Sequence, residues 1–121
     1  MKKNTLHYFL RLPLAISMFG HGAVRLPKIQ DFSSWMMETM AESLIPRFLI
    51  LPFSYTLPII ELLIGLFMLI GFYVRYTLMA GIIVMSLLIL GSCSIENWGA
   101  VGAQLLHAIY FAILLFLNER K

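Results

Sequence analysis

A carboxylate, two imidazoles, an amide and a guanidinium stand in or beside otherwise apolar stretches of this chain. They are Glu61 in LPIIELLIGLFMLIGF, Gln104 and His107 in VGAQLLHAIYF, and His21 and Arg25 in MFGHGAVR. A charged side chain inside hydrocarbon costs about 3 kcal/mol or more, so such groups face a protein interior or a wet cavity. Carboxyl and imidazole groups gathered in a low-dielectric pocket are suited to taking up and releasing protons. Glu61 and His107 are therefore the candidate catalytic residues, and His21, Arg25, Gln104 and Trp98 the candidate ligand contacts. Arg25 lies one helical turn from His21 on the same face and can supply a counter-charge to Glu61.

These roles require the residues to meet, and their depths allow it. Counted from the ends of their apolar runs at helical rise, Glu61 is roughly 12 Å deep, His107 roughly 13 Å and His21 roughly 6 Å. All three fall in the same half of a bundle, with Gln104 one turn from His107. The structural alternative is that Glu61 locks helix packing and that Gln104 and His107 only bond across helices. Arg11 lies towards the other end, where its long stem can snorkel. Cys93 reads as a packing residue; as the only cysteine it excludes an intrachain disulfide and a multi-cysteine metal cluster. Two dispersed histidines and one carboxylate make a weak metal signal, so no metal is expected.

The elements that must hold these groups follow from composition. With 121 residues, 60% hydrophobic, 12% charged and a mean hydropathy of +0.87, the chain is too apolar for a soluble domain. It reads as an all-α membrane protein with a single domain, a four-transmembrane-helix bundle set in a lipid bilayer. The spans are expected at about 6–24, 53–72, 77–92 and 99–117, since each needs roughly 20 residues to cross hydrocarbon. Alternation of the barrel kind is absent, which favours helices. The N-terminus begins like a signal peptide, but Arg11 interrupts its apolar core and no convincing cleavage site follows, so it is expected to stay as the first span.

Lys2, Lys3, Arg75, Arg120 and Lys121 fall on one side, whereas Arg25, Lys28 and Arg47 lie on the other among Asp31, Glu38, Glu42 and Glu96. This bias puts both termini in the cytoplasm of a prokaryotic cell, with Tyr73 and Tyr76 near the inner interface and Trp35 and Trp98 near the outer one. The net charge of +3 then reflects topology, and nucleic-acid binding is not expected. The long connection RLPKIQDFSSWMMETMAESLIPRFLILP is expected to hold an amphipathic interfacial helix over about 32–45, capped by Asp31 or Ser33 and stopped by Pro46. Phe32, Trp35, Met36, Met40 and Leu44 form its apolar stripe, with Ser34, Glu38 and Glu42 opposite. Lying along the outer interface, it could roof the bundle. Gly20, Gly22, Gly65, Gly71, Gly81, Gly91, Gly99 and Gly102 mostly read as close-packing positions.

The run GHGAVRLPK, the order of Pro58, Glu61, Gly65, Leu69, Gly71 and Arg75, and the final WGAVGAQLLHAIYF resemble the DoxX family of small four-span membrane proteins over nearly the whole chain. That resemblance implies a redox setting, because the family takes its name from subunits of an archaeal thiosulfate:quinone oxidoreductase. Together with the polar pocket, it points to a redox-linked subunit of the cytoplasmic membrane that binds a quinone or similar lipid-soluble ligand, alone, as a homo-oligomer or with a redox partner protein. The alternatives are a scaffold or assembly subunit whose buried polar groups specify packing, and a small proton-coupled transporter.

Overall fold

The computed structural model of the chain describes residues 3–119, and the expectations for Lys2, Arg120 and Lys121 lie outside the described residues. The described chain is all-helical: α1 (Lys3–Arg25), a short 3-10 turn (Leu26–Lys28), α2 (Ile29–Thr39), α3 (Arg47–Ile70), α4 (Val74–Ser94) and α5 (Trp98–Glu119). Three of these, α3, α4 and α5, are long and apolar enough to cross a membrane. The chain is thus a multi-pass membrane protein with an additional N-terminal helix. That helix, α1, is 23 residues long, a spanning length at helical rise, but His7, Arg11, Ser17, His21 and Arg25 interrupt its apolarity.

The long helices pack as two pairs, α1 on α3 and α4 on α5, while the pairs meet each other more sparingly. Glycine sets the first pairing. A Cβ on Gly22 would lie 2.6 Å from the Leu62 nitrogen and the Pro58 carbonyl oxygen, and one on Gly65 would lie 2.6 Å from the Phe19 Cα, so α1 and α3 touch backbone to backbone. In the second pair Gly81 accommodates the ring of the fully buried Phe111. Around Gly20 and Gly102 a Cβ would meet nothing within 4 Å, and Gly99 is nearly as open, which corrects the expectation that these three are packing positions.

Helices α1, α4 and α5 run beyond their expected bounds at both ends, whereas α3 starts six residues early, at Arg47, and ends two residues short, at Ile70, because its start is set by Pro46 and not by hydropathy. Pro46 is extended (φ −62°, ψ 144°) and is the N-cap of α3. It does not stop α2, which begins at Ile29 and ends already at Thr39. Beyond it the chain turns, with Ala41 bonded back to Glu38 and Ser43 to Met40, and Leu44 is left 92% exposed. Neither Asp31 nor Ser33 caps α2, which continues from the 3-10 turn with Lys28 at its N-cap. The hydroxyl of Ser33 instead meets that of Ser54 at 2.7 Å in the core, docking α2 on α3.

At the end of the bundle away from α2, α3 closes on Gly71 in the left-handed region (φ 75°), with the Phe72 nitrogen bonded to the Phe67 carbonyl at 2.9 Å. Arg11 does not snorkel as expected. It is buried and donates from Nε to the Met68 carbonyl at 2.8 Å, satisfying one of the last carbonyls of α3. Its Nη1 donates to Nδ1 of His7 at 3.0 Å, and Nε2 of His7 donates to the Leu114 carbonyl at 3.1 Å, so the pair links α1, α3 and α5. Arg11→Met should lower stability by about 2 kcal/mol through these unpaired groups, read as a lower midpoint of thermal unfolding in mild detergent. An unchanged midpoint would mean that lipid or water already serves them.

Candidate functional site

Near the α2 end, the two helix pairs diverge around a cleft of about 740 Å³. Its walls are mainly apolar, with Trp35 and Met36 from α2, Phe53 and Leu57 from α3, and Leu88 from α4 among them. The volume is in the range of pockets that hold drug-sized molecules. The expected apolar stripe of α2 is thereby divided: Met36 is buried, whereas Trp35 is more than half exposed along the cleft.

The polar groups converge at one part of this cleft. Glu61 is 3% exposed on α3, and its Oε1 receives a hydrogen bond from Nη1 of Arg25 at 2.8 Å. The pair joins α1 to α3 where Gly22 brings them close. The Arg25 guanidinium also lies over the Phe32 ring, 4.6 Å from its centre, which fixes a long side chain that would otherwise be mobile. Oε2 of Glu61 has no protein partner among the described residues.

The two imidazoles stand edge to face, with centres 6.1 Å apart. Each points Nδ1 at the carbonyl one turn back on its own helix, His21 at Ser17 (2.6 Å) and His107 at Ala103 (2.9 Å). A carbonyl only accepts, so in both rings Nδ1 carries the hydrogen. Ser17 then closes the space between α1 and α5, its hydroxyl 3.2 Å from Nε2 of His107 and 3.5 Å from Nδ1 of His21. Gln104 also lines the cleft, with Oε1 buried and without a hydrogen-bond partner among the described residues.

Of the residues singled out from the sequence, Glu61, His107, His21, Arg25 and Gln104 all line this cleft. Trp98 does not: as the first residue of α5 it is 61% exposed and outside the lining. Sequence reasoning missed Ser17, which bridges the helix pairs; its spacing of four from His21 places the two on one face and was the available signal. It also missed the role of Phe32 beneath Arg25. Among the described residues, no group of three His, Cys, Asp or Glu side chains is placed to hold a metal ion.

A family model described as methylamine utilisation protein MauE matches residues 3–95, running through α1 to α4 and ending just before α5. No curated protein and no solved structure matches the chain. The match corrects the resemblance to DoxX, since it falls to a different family. The residues that suggested DoxX include Gly22 and Gly65, where α1 crosses α3, Gly71, where α3 ends, and the Arg25–Glu61 pair. Such features meet general needs of closely packed spans, and so do not separate one family of small helical membrane proteins from another.

Proposed function

The chain belongs to the MauE family, and from that premise we propose that it is an integral membrane subunit, serving methylamine utilisation or a related redox-linked process, which holds a lipid-soluble ligand in the cleft between its helix pairs. The observation that carries this reading is the cleft itself: an apolar chamber of about 740 Å³ with Glu61, Arg25, His21, His107 and Gln104 on its wall. Such a chamber suits a molecule with a hydrocarbon body and a small polar head, of which quinones are an instance. Arg25 balances the charge of Glu61 and orients it, leaving this carboxylate near a bound head as a proton-exchanging group, while His107, held at Nδ1 by the Ala103 carbonyl and at Nε2 by Ser17, exchanges protons with the head through the Ser17 hydroxyl. In this proposal α1 is a fourth span, both termini face the cytoplasm of a prokaryotic cell, and the cleft lies in the outer half of the membrane.

The test is native mass spectrometry after purification in mild detergent, with organic extraction of what remains bound. A lipid-soluble molecule should co-purify with the natural protein. It should be lost from Ala103→Trp, whose indole would occupy the cleft from an exposed position on α5. Retention of the same molecule by Ala103→Trp, or the absence of any ligand from the natural protein, would defeat the proposal.

A second reading is favoured by one observation: the same polar groups tie helices together, Arg25–Glu61 joining α1 to α3 and Ser17–His107 joining α1 to α5. A scaffold of this kind needs no ligand. It expects Glu61→Gln and His107→Ala to loosen the bundle, and an empty natural protein.

A further inference from the structure

Two arginines of the described chain are answered by carboxylates, Arg25 by Glu61 and Arg75 by Glu119. Arg11 has no such partner among the described residues, although it is the most enclosed of the three at 8% exposed. From this imbalance, and from the place of Arg11 in the fold, we infer that the end of the bundle around Gly71 is a phosphate site, filled by the head group of an anionic membrane phospholipid. The inference is independent of the cleft, which lies near the α2 end.

A guanidinium carries one positive charge and five N–H groups. The Arg11 Nε gives its hydrogen to the Met68 carbonyl at 2.8 Å, and Nη1 gives one to Nδ1 of His7 at 3.0 Å. His7 donates in turn from Nε2 to the Leu114 carbonyl, so its ring is a neutral acceptor and brings no charge. The Tyr8 ring, its centre 5.0 Å from the guanidinium carbon, adds a weak attraction. Further compensation comes from the end of α3, whose last carbonyls amount to roughly half a negative elementary charge. About half of the positive charge is left over, and an unanswered buried charge is among the costliest groups a fold can hold.

The unused N–H groups show where the answer comes from. Nη2 has no protein partner among the described residues, and it is not sealed in. It abuts Gly71, where a Cβ would lie 2.9 Å away, so the absence of a side chain keeps this nitrogen open at the end of α3. The level suits a lipid head group. Gly71 closes α3, Met68 stands roughly 4.5 Å before it at helical rise, and Phe72, Tyr73 and Tyr76 are exposed around the turn into α4. Tyrosines settle where hydrocarbon meets water, and basic groups between helices at that level hold anionic head groups. A phosphate oxygen accepts from Nη2 in a charge-assisted bond and supplies the negative charge that the protein lacks there, while the acyl chains stay in the hydrocarbon beside the bundle. A head that also carries an ammonium group neutralises its own phosphate, so an anionic lipid is preferred to a zwitterionic one.

The experiment is native mass spectrometry of the full chain in mild detergent, titrated with phosphatidylglycerol or with phosphatidylcholine of the same acyl chains. One phosphatidylglycerol should be held about tenfold more tightly than phosphatidylcholine, as a charge-assisted bond at a half-answered cation allows. Arg11→Gln should cut that preference to about twofold or less. Because Arg11 also ties helices together, a complementary variant keeps it and removes the other basic residues assigned to that side: Lys2→Gln, Lys3→Gln, Arg75→Gln, Arg120→Gln and Lys121→Gln combined should retain most of the preference. Loss of the preference in that variant, its persistence in Arg11→Gln, or equal binding of the two lipids by the natural protein overturns the proposal. Inorganic phosphate at millimolar concentration should leave phosphatidylglycerol bound. Displacement by it would make soluble phosphate the occupant and overturn the assignment to lipid.

Discussion

Gly65→Ala should destabilise the bundle by about 3 kcal/mol or more, at the upper end of the cost of overpacking a well-filled core. The new Cβ would lie 2.6 Å from the Phe19 Cα and 2.7 Å from its Cβ. Because the nearest atoms are backbone, no rotamer change can relieve the contact, and α1 would have to move away from α3 as a body. The same crossing is fixed a turn further along by Gly22 against Leu62 and Pro58, so movement at one point opens the other. The contrast is Gly102→Ala on α5, where a Cβ meets nothing within 4 Å. There the helix gains intrinsic propensity of about 0.5–1 kcal/mol, or at least loses nothing. Thermal unfolding followed by circular dichroism in mild detergent separates the two. Similar midpoints for Gly65→Ala and the natural protein would show that the helices cross less closely than the structure has them. Since Gly22 adjoins His21, and Gly65 lies one turn from Glu61, a shift of α1 should also disperse the polar groups of the cleft.

The convergence of Glu61, His107, Gln104, His21 and Arg25 was legible in the sequence because depth along a helix follows from residue count, and apolar runs mark where counting begins. Rotation about each helix axis is less legible. Ser17 is a small polar residue that could have bonded its own backbone, and only the placement of α5 shows that it reaches His107. Trp98 fails as a cleft residue for the same reason, since depth places it near the cleft and rotation turns it away. The end of α2 was misjudged because Pro46 can close one helix or open the next, and its extended backbone, which opens α3, is not encoded in hydropathy. Arg11 shows another limit: a long stem near a helix end can snorkel, but a carbonyl left free at the end of α3 holds it inside instead. Family was the least legible property, because glycines at a crossing and a paired intramembrane charge are consequences of packing that unrelated bundles share.

Arg25→Met should cost about 3 kcal/mol, the usual penalty for removing one partner of a buried ion pair. It leaves Glu61, 3% exposed, without the donor at 2.8 Å that compensates its burial, and it removes the guanidinium from the Phe32 ring. Glu61→Leu should cost less, about 1 kcal/mol, because the Arg25 side chain is 31% exposed and its freed head can turn towards water or lipid head groups. The combined Arg25→Met/Glu61→Leu variant should return close to natural stability, since replacing both members of such a pair by apolar groups is often neutral. The cycle should therefore give a coupling of about 4 kcal/mol, read from unfolding midpoints in detergent. If the double variant is as unstable as the sum of the single ones, the two side chains act independently and the pair does not join α1 to α3. The double variant also separates the two functional readings. If Arg25 and Glu61 only specify packing, a stable apolar replacement should behave as the natural protein does in every assay. If they also form part of a ligand site, it should be folded and should have lost the molecule that the natural protein retains.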